Sequence, residues 1–293
     1  MFGTRLISGI VLIIIAILAL SLGGPTLAGI LLVISLIAYR ELTKVLKVSG
    51  ENQEAKMHLG AKMNPGTEQE AKRLNLLEII GMTGIIIYYA IIFFSGAEVL
   101  QLMCIVGVFM AMMFSYVVVF PKFRAEQLVG AFFSFMYAPV MLSFVYLTRM
   151  CPQGIYMVWM IIISSWGCDT CAYVVGMLIG KKKIFPRLSP KKSLEGCIGG
   201  VLGATLIGGW YGYFFVEPLF PEQTVMWIIA FICGVGAVMS QIGDLAASAI
   251  KRNAKIKDYG KLIPGHGGIM DRFDSMIVTA PMIYFLTIMM IRF

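Results

Sequence analysis

Along most of the chain, apolar residues run together for about 20 positions at a time, enough in helical form to cross the ~30 Å hydrocarbon core of a bilayer. Polar residues gather in blocks between the runs. Nine spans are predicted, at 5–23, 25–46, 77–96, 98–120, 127–148, 155–179, 195–216, 224–250 and 272–292. Lipid offers no partners to backbone N–H and C=O groups, so each span must satisfy its own, which requires helices. A closed barrel would show short alternating segments, and these are absent. The pattern predicts an all-α polytopic membrane protein. The first run carries only Arg5 in front and no small-residue cleavage site, so it is expected to remain as a span.

Composition agrees: 59% of the 293 residues are hydrophobic and 14% charged, where a soluble domain carries about 25% charged residues. The net charge of +8 is best read loop by loop. With the N-terminus in the cytosol, 22 of the 24 Lys and Arg residues fall on the cytosolic side, leaving Arg149 and Arg292 opposite. The positive-inside rule then predicts N-in and C-out with an odd number of spans. The basic excess is chiefly a topology signal, and no nucleic-acid partner is expected. It also favours anionic headgroups or a polyanionic cytosolic substrate. Five of the six cysteines lie within spans, which argues against a disulfide framework. Cys168 and Cys171 form a C-x-x-C without the second pair that a zinc site needs, so helix packing is the favoured reading.

Residues 1–150 read as a transmembrane scaffold of five helices with a cytosolic loop at 47–76, in which His58 is expected to be solvated. Intramembrane polarity is concentrated in 151–293, four helices with cytosolic loops at 180–194 and 251–271. Asp169 and Asp244 lie inside predicted spans, where an ionised aspartate costs about 2.5–3.5 kcal/mol on the lenient insertion scale. That cost points to a polar cavity or a cation, against the plainer reading of a buried hydrogen bond to a neighbouring hydroxyl. Asp271 and Asp274 are three apart at a predicted helix start and share one face. Helix capping accounts for one of them, but not for both together with Asp244. Three carboxylates beside basic loops suit Mg²⁺, a hard ion that favours oxygen ligands and substrate phosphates.

Ahead of that helix stands Pro264-Gly265-His266-Gly267-Gly268, a turn able to aim backbone N–H groups at phosphate oxygens, or simply to join two helices. His266 either stabilises developing phosphate charge or donates within the turn. Lys251, Arg252, Lys257 and Arg272 bracket the turn, and Lys191 and Lys192 come from the earlier loop. Cationic side chains facing metal-binding carboxylates are what phosphoryl-type transfer requires.

The stretch "SAIKRNAKIKDYGKLIPGHGGIMDRFD", Ser248 to Asp274, closely resembles the signature of phosphatidate cytidylyltransferases, also called CDP-diacylglycerol synthases. "GDLAAS" (243–248), "CDTCAYVVG" (168–176) and "SPKKSLEG" (189–196) are similar to the family's other cytosolic-side motifs, so the strong likeness covers the C-terminal part of the chain. The resemblance implies Mg²⁺-dependent transfer of CMP from CTP to phosphatidate, with K⁺ as a second, monovalent ion. It implies a homodimer in a bacterial inner membrane, with its site on the cytosolic side. Carried over residue by residue, Asp244 and Asp271 become the metal ligands, with Asp274 beside them. Lys251, Arg252, Arg272 and His266 become catalytic neighbours of the phosphates. Asp169, Lys191, Lys192, Ser248, Lys257, Asp258, Gly265, Gly267 and Gly268 become substrate-binding residues. The chain departs from the family's pattern at Ala247, usually Glu, at Cys171, usually Gly, and at Ser193-Leu194, usually Thr-Trp. A CTP-dependent polyprenol- or phytol-type lipid kinase is the nearest rival, and an ion or solute transporter the rival of another class.

Overall fold

The computed structural model describes residues 2–49, 74–263 and 267–291. These form nine helical segments, and among the described residues there is no strand. They are α1 Phe2–Leu22, α2 Gly24–Val45, α3 Leu76–Phe94, α4 Glu98–Val118, α5 Ala125–Met150, α6 Gly154–Ile179, α7 Leu194–Leu219, α8 Met226–Asn253 and α9 Met270–Met290. Eight of them, α2 to α9, are long and apolar enough to cross a membrane. The remaining expected span falls on α1, whose apolar stretch among the described residues is Ile13–Leu22. The chain is an all-α polytopic membrane protein. Most of the loop expected at 47–76, His58 included, lies outside the described residues.

By packing, the chain falls into two compact units, Ala28–Val140 and Met1–Leu27 with Met141–Phe293. In the first of these, α4 leaves Leu102, Met110, Phe114 and Val117 exposed, as a helix bordered by lipid can without loss. The start of α3 is closed by a capping box: Asn75 accepts from the Glu78 N–H (2.8 Å) and Glu78 accepts from the Asn75 N–H (3.1 Å).

In the other unit α7 packs on both α6 and α8, and α8 on α9. Small residues allow the approach. A β-carbon at Gly203 of α7 would lie 2.6 Å from the Cys171 sulfur. The cysteines are all free, and Cys168 is buried in the helix interface. Arg149 has a structural role, since its Nε and Nη2 donate to the carbonyls of Leu20 (2.8 Å) and Ser21 (3.3 Å). Those oxygens end α1, where a helix leaves its last acceptors unpaired and its dipole favours a cation. Wide π turns interrupt α5 at Met136–Val140, α6 at Ile163–Gly167 and α7 at Gly212–Val216. The turn in α6 inserts a residue just before Cys168 and Asp169, rotating the remainder of the helix about its axis.

Candidate active site

The site is built on α8. Helical spacing puts Ser240, Asp244, Ala247 and Lys251 along one stripe of it. Lys251 and Arg252, expected in the following loop, remain in the last turn of α8, where the helix dipole favours positive charge. Gly243 brings α9 close, since a β-carbon there would sit 2.9 Å from the Asp274 carbonyl oxygen.

Asp271, in the first turn of α9, is nearly enclosed. Its Oδ1 accepts from Lys251 Nζ (2.9 Å), while Oδ2 accepts from the backbone N–H groups of Tyr259 (2.8 Å) and Gly268 (3.0 Å). One carboxylate therefore ties the end of α8, the following loop and the start of α9 together. Gly267 is required there, because its φ of 86° is left-handed and a β-carbon would lie 2.9 Å from Asp271 Oδ2. Tyr259 closes the knot, its hydroxyl donating to the Ala247 carbonyl (2.9 Å) and its ring lying 5.4 Å from Lys251 Nζ.

Asp244 is treated differently. Among the described residues its one ion-pair partner is Lys192, with Nζ 2.5 Å from Oδ2, and its side chain is 28% exposed. The Lys192 ammonium is buried, and Asp244 is the one acceptor it meets among the described residues. The loop before α7 delivers it: the Glu195 carboxylate accepts from the N–H groups of Lys181 (3.0 Å) and Lys182 (3.2 Å), and Leu194 N–H donates to the Lys182 carbonyl (2.8 Å). Ser193 then caps α7 by accepting from the Gly196 N–H (3.2 Å). Asp244 stands within electrostatic reach of Asp169 and Asp274. Ser275 stands between these two, its side chain beside Asp169 and its N–H donating to Asp274 Oδ1 (2.8 Å).

The structure thus groups Asp169, Asp244, Asp271, Asp274, Lys192 and Lys251. Arg272 is half-buried at the same helix start, and its Nε has no hydrogen-bond partner among the described residues. Arg252 is exposed and its Nε donates to the Leu188 carbonyl (3.4 Å), fastening the earlier loop to α8. Lys191, Lys257 and Asp258 are exposed, Ser248 is half-buried, and Gly268 is committed to Asp271. Ile263 and Gly267 pair across 264–266. Those residues, with the roles expected for Gly265 and His266, lie outside the described residues. Tyr259 and Ser275 were not anticipated from the sequence. Their signal was position alone, beside Lys257-Asp258 and Asp274.

For a divalent cation, the chemistry of the donor set fits: one Asp244 oxygen has no partner among the described residues, and Asp169 and Asp274 lie within its electrostatic reach. Among the described residues, no three His, Cys, Asp or Glu side chains converge into a metal cage. Mg²⁺ is commonly bound by one or two carboxylates, with water and substrate phosphates completing the shell. Asp271, holding three donors, is the less available of the two carboxylates named first from the sequence.

The cytidylyltransferase family matches residues 3–290. The chain belongs to this family. It is similar to the phosphatidate cytidylyltransferase of Staphylococcus saprophyticus, 30% identical over 228 residues covering 75% of this chain and 85% of the relative. The Staphylococcus epidermidis protein of the same name is 32% identical with the same coverage. That of Bacillus subtilis is 36% identical over 143 residues, 49% of this chain and 51% of the relative. Of the positions singled out from the sequence, Ser193 supplies a capping oxygen, Cys171 packs on Gly203, and Ala247 is fully buried under Tyr259.

Proposed function

We propose that this chain transfers CMP from CTP to phosphatidate, forming CDP-diacylglycerol and releasing pyrophosphate. The observation that carries the reading is the meeting, on the helices that hold the signature, of four aspartates with two largely buried lysines. A phosphatidate oxygen attacks the α-phosphorus of CTP, a new P–O bond forms, and the bond to the β-phosphate breaks. The attacking oxygen is already ionised near neutral pH, so the site needs no strong base. Lys192, whose one acceptor among the described residues is Asp244, and Arg272, whose Nε is unpaired among them, neutralise phosphate oxygens as charge shifts to the leaving group. Lys251 is held by Asp271 and Tyr259 and acts as a fixed positive charge. Mg²⁺ held by Asp244 with Asp274 would supply further neutralisation of the triphosphate.

The same reading places the N-terminus and the loops 180–194 and 251–271 in the cytosol of a bacterium, with the protein a homodimer in the inner membrane. The cytosolic placement of these loops is supported by the one-sided distribution of 22 of the 24 basic residues. A water-soluble nucleotide and a lipid then meet at the membrane surface. The test is to supply the purified protein with CTP, Mg²⁺ and phosphatidate. CDP-diacylglycerol and pyrophosphate are expected in equal amounts. Release of CDP would indicate a lipid kinase, and no turnover would leave the transporter as the better account.

A further inference from the structure

The two lysine–aspartate pairs of the site differ in a way that gives Lys192 a role of its own. In the pair Lys251–Asp271 the carboxylate takes two backbone N–H groups as well, and the ammonium stands by an aromatic ring. Every part of that pair holds chain segments together. Lys192–Asp244 holds nothing comparable. The loop carrying Lys192 is already tied down by Glu195, by the Leu194–Lys182 bond and by the Arg252–Leu188 bond. Its side chain nevertheless reaches to 2.5 Å from Asp244, burying an ammonium whose one acceptor among the described residues is that carboxylate. A buried ammonium with one acceptor for its three protons is costly, and the pair's mutual attraction offsets that only in part.

We infer that Lys192 is a place-holder: without substrate it occupies, on Asp244, the position of the divalent cation, and it yields that position when phosphate oxygens arrive. The inference rests on the reading of Asp244 as a metal-binding carboxylate of a nucleotidyl-transfer site. The physical reason is charge. Asp169, Asp244 and Asp274 lie within one another's field, and bare carboxylates in a membrane protein are expensive. An ammonium on Asp244 lowers that cost and also competes with a metal. Triphosphate oxygens offer the ammonium several acceptors in place of one, so its transfer to them frees Asp244. Metal and nucleotide are thereby made to bind together.

A ligand whose site is open for only a fraction of the time binds more weakly by that fraction, so a pair formed nine-tenths of the time weakens metal binding about tenfold. The measurement is Mn²⁺ binding to the full-length protein purified in detergent, followed by electron paramagnetic resonance, without nucleotide or lipid. Lys192→Met removes the competing charge and is expected to bind Mn²⁺ about tenfold more tightly than the wild type. Lys192→Arg, which keeps the competing charge, should match the wild type. Lys192→Gln repeats the neutral test should the methionine variant fail to fold. Unchanged or weaker binding in the neutral variants overturns the inference, as does Arg behaving like Met. Tight binding that survives Asp244→Asn in the Lys192→Met background also overturns it, as does absence of Mn²⁺ binding in every variant. If neutral variants bind tightly but the wild type makes no CDP-diacylglycerol, the functional reading fails and the place-holder stands.

Discussion

Glu78 and Asp244 are both carboxylates on membrane-spanning helices, each beside a basic side chain, in different packing units of the molecule. Glu78 is fully buried and saturated: Oε1 meets the Thr43 hydroxyl (2.9 Å) and Arg40 Nη1 (3.3 Å), and Oε2 accepts the Asn75 N–H. Each of those partners fixes a helix end or its neighbour. Asp244 is partly open, has one oxygen without a partner among the described residues, and faces a lysine for which it is the one acceptor among them. Burial alone would rank Glu78 as the more unusual residue. Satisfaction ranks them the other way, because a buried polar group with all its partners is structure, whereas one left short awaits something else.

The sharpest way to break this contrast is to neutralise Asp244. Asp244→Asn should lower CMP transfer by about 100- to 1000-fold, the scale of losing one preorganised charge contact, with melting temperature nearly unchanged. Loss of folded protein instead would make Asp244 structural. Glu78→Ala is the counterpart. It should destabilise the protein by about 3 kcal/mol, as removing one partner from a buried pair does, in a detergent denaturation series. Its folded fraction should transfer CMP at close to the wild-type rate. A selective loss of turnover would erase the distinction between the two carboxylates.

Asp271 sits between these extremes, and Gly267 probes it. Gly267→Ala forces a side chain into a left-handed conformation against Asp271 Oδ2, at a cost of about 1–2 kcal/mol. Activity should fall more than stability, because Asp271 positions both Lys251 and the start of α9. Tyr259→Phe is the mildest change. It removes one hydrogen bond, worth about 1 kcal/mol, and the expected result is a slightly lower melting temperature with turnover reduced only a few-fold.

Much of the fold could be read in advance, since each apolar run must be a helix wherever lipid surrounds it. The expected span 272–292 appears as Met270–Met290, with Asp271 in its first turn. Loop boundaries were less legible: Lys251 and Arg252 belong to α8 because a helix end attracts positive charge that a hydrophobicity pattern does not register. The acidic members of the site stood out as charges in apolar surroundings. Tyr259 and Ser275 did not, since a tyrosine in a polar loop and a serine near a helix start are ordinary until their partners are known.

By itself, the sequence determined the helical membrane class, the concentration of polarity in the second half and the identity of the charged residues. These follow from composition and period, which act locally along the chain. Only the tertiary structure decided which lysine meets which aspartate, that Asp271 accepts three hydrogen bonds in holding the loop while one Asp244 oxygen is without a partner among the described residues, and how the wide turn in α6 precedes Asp169. Those outcomes depend on distances between segments remote in sequence, and Coulomb and hydrogen-bond energies change over a few ångströms that no local pattern encodes.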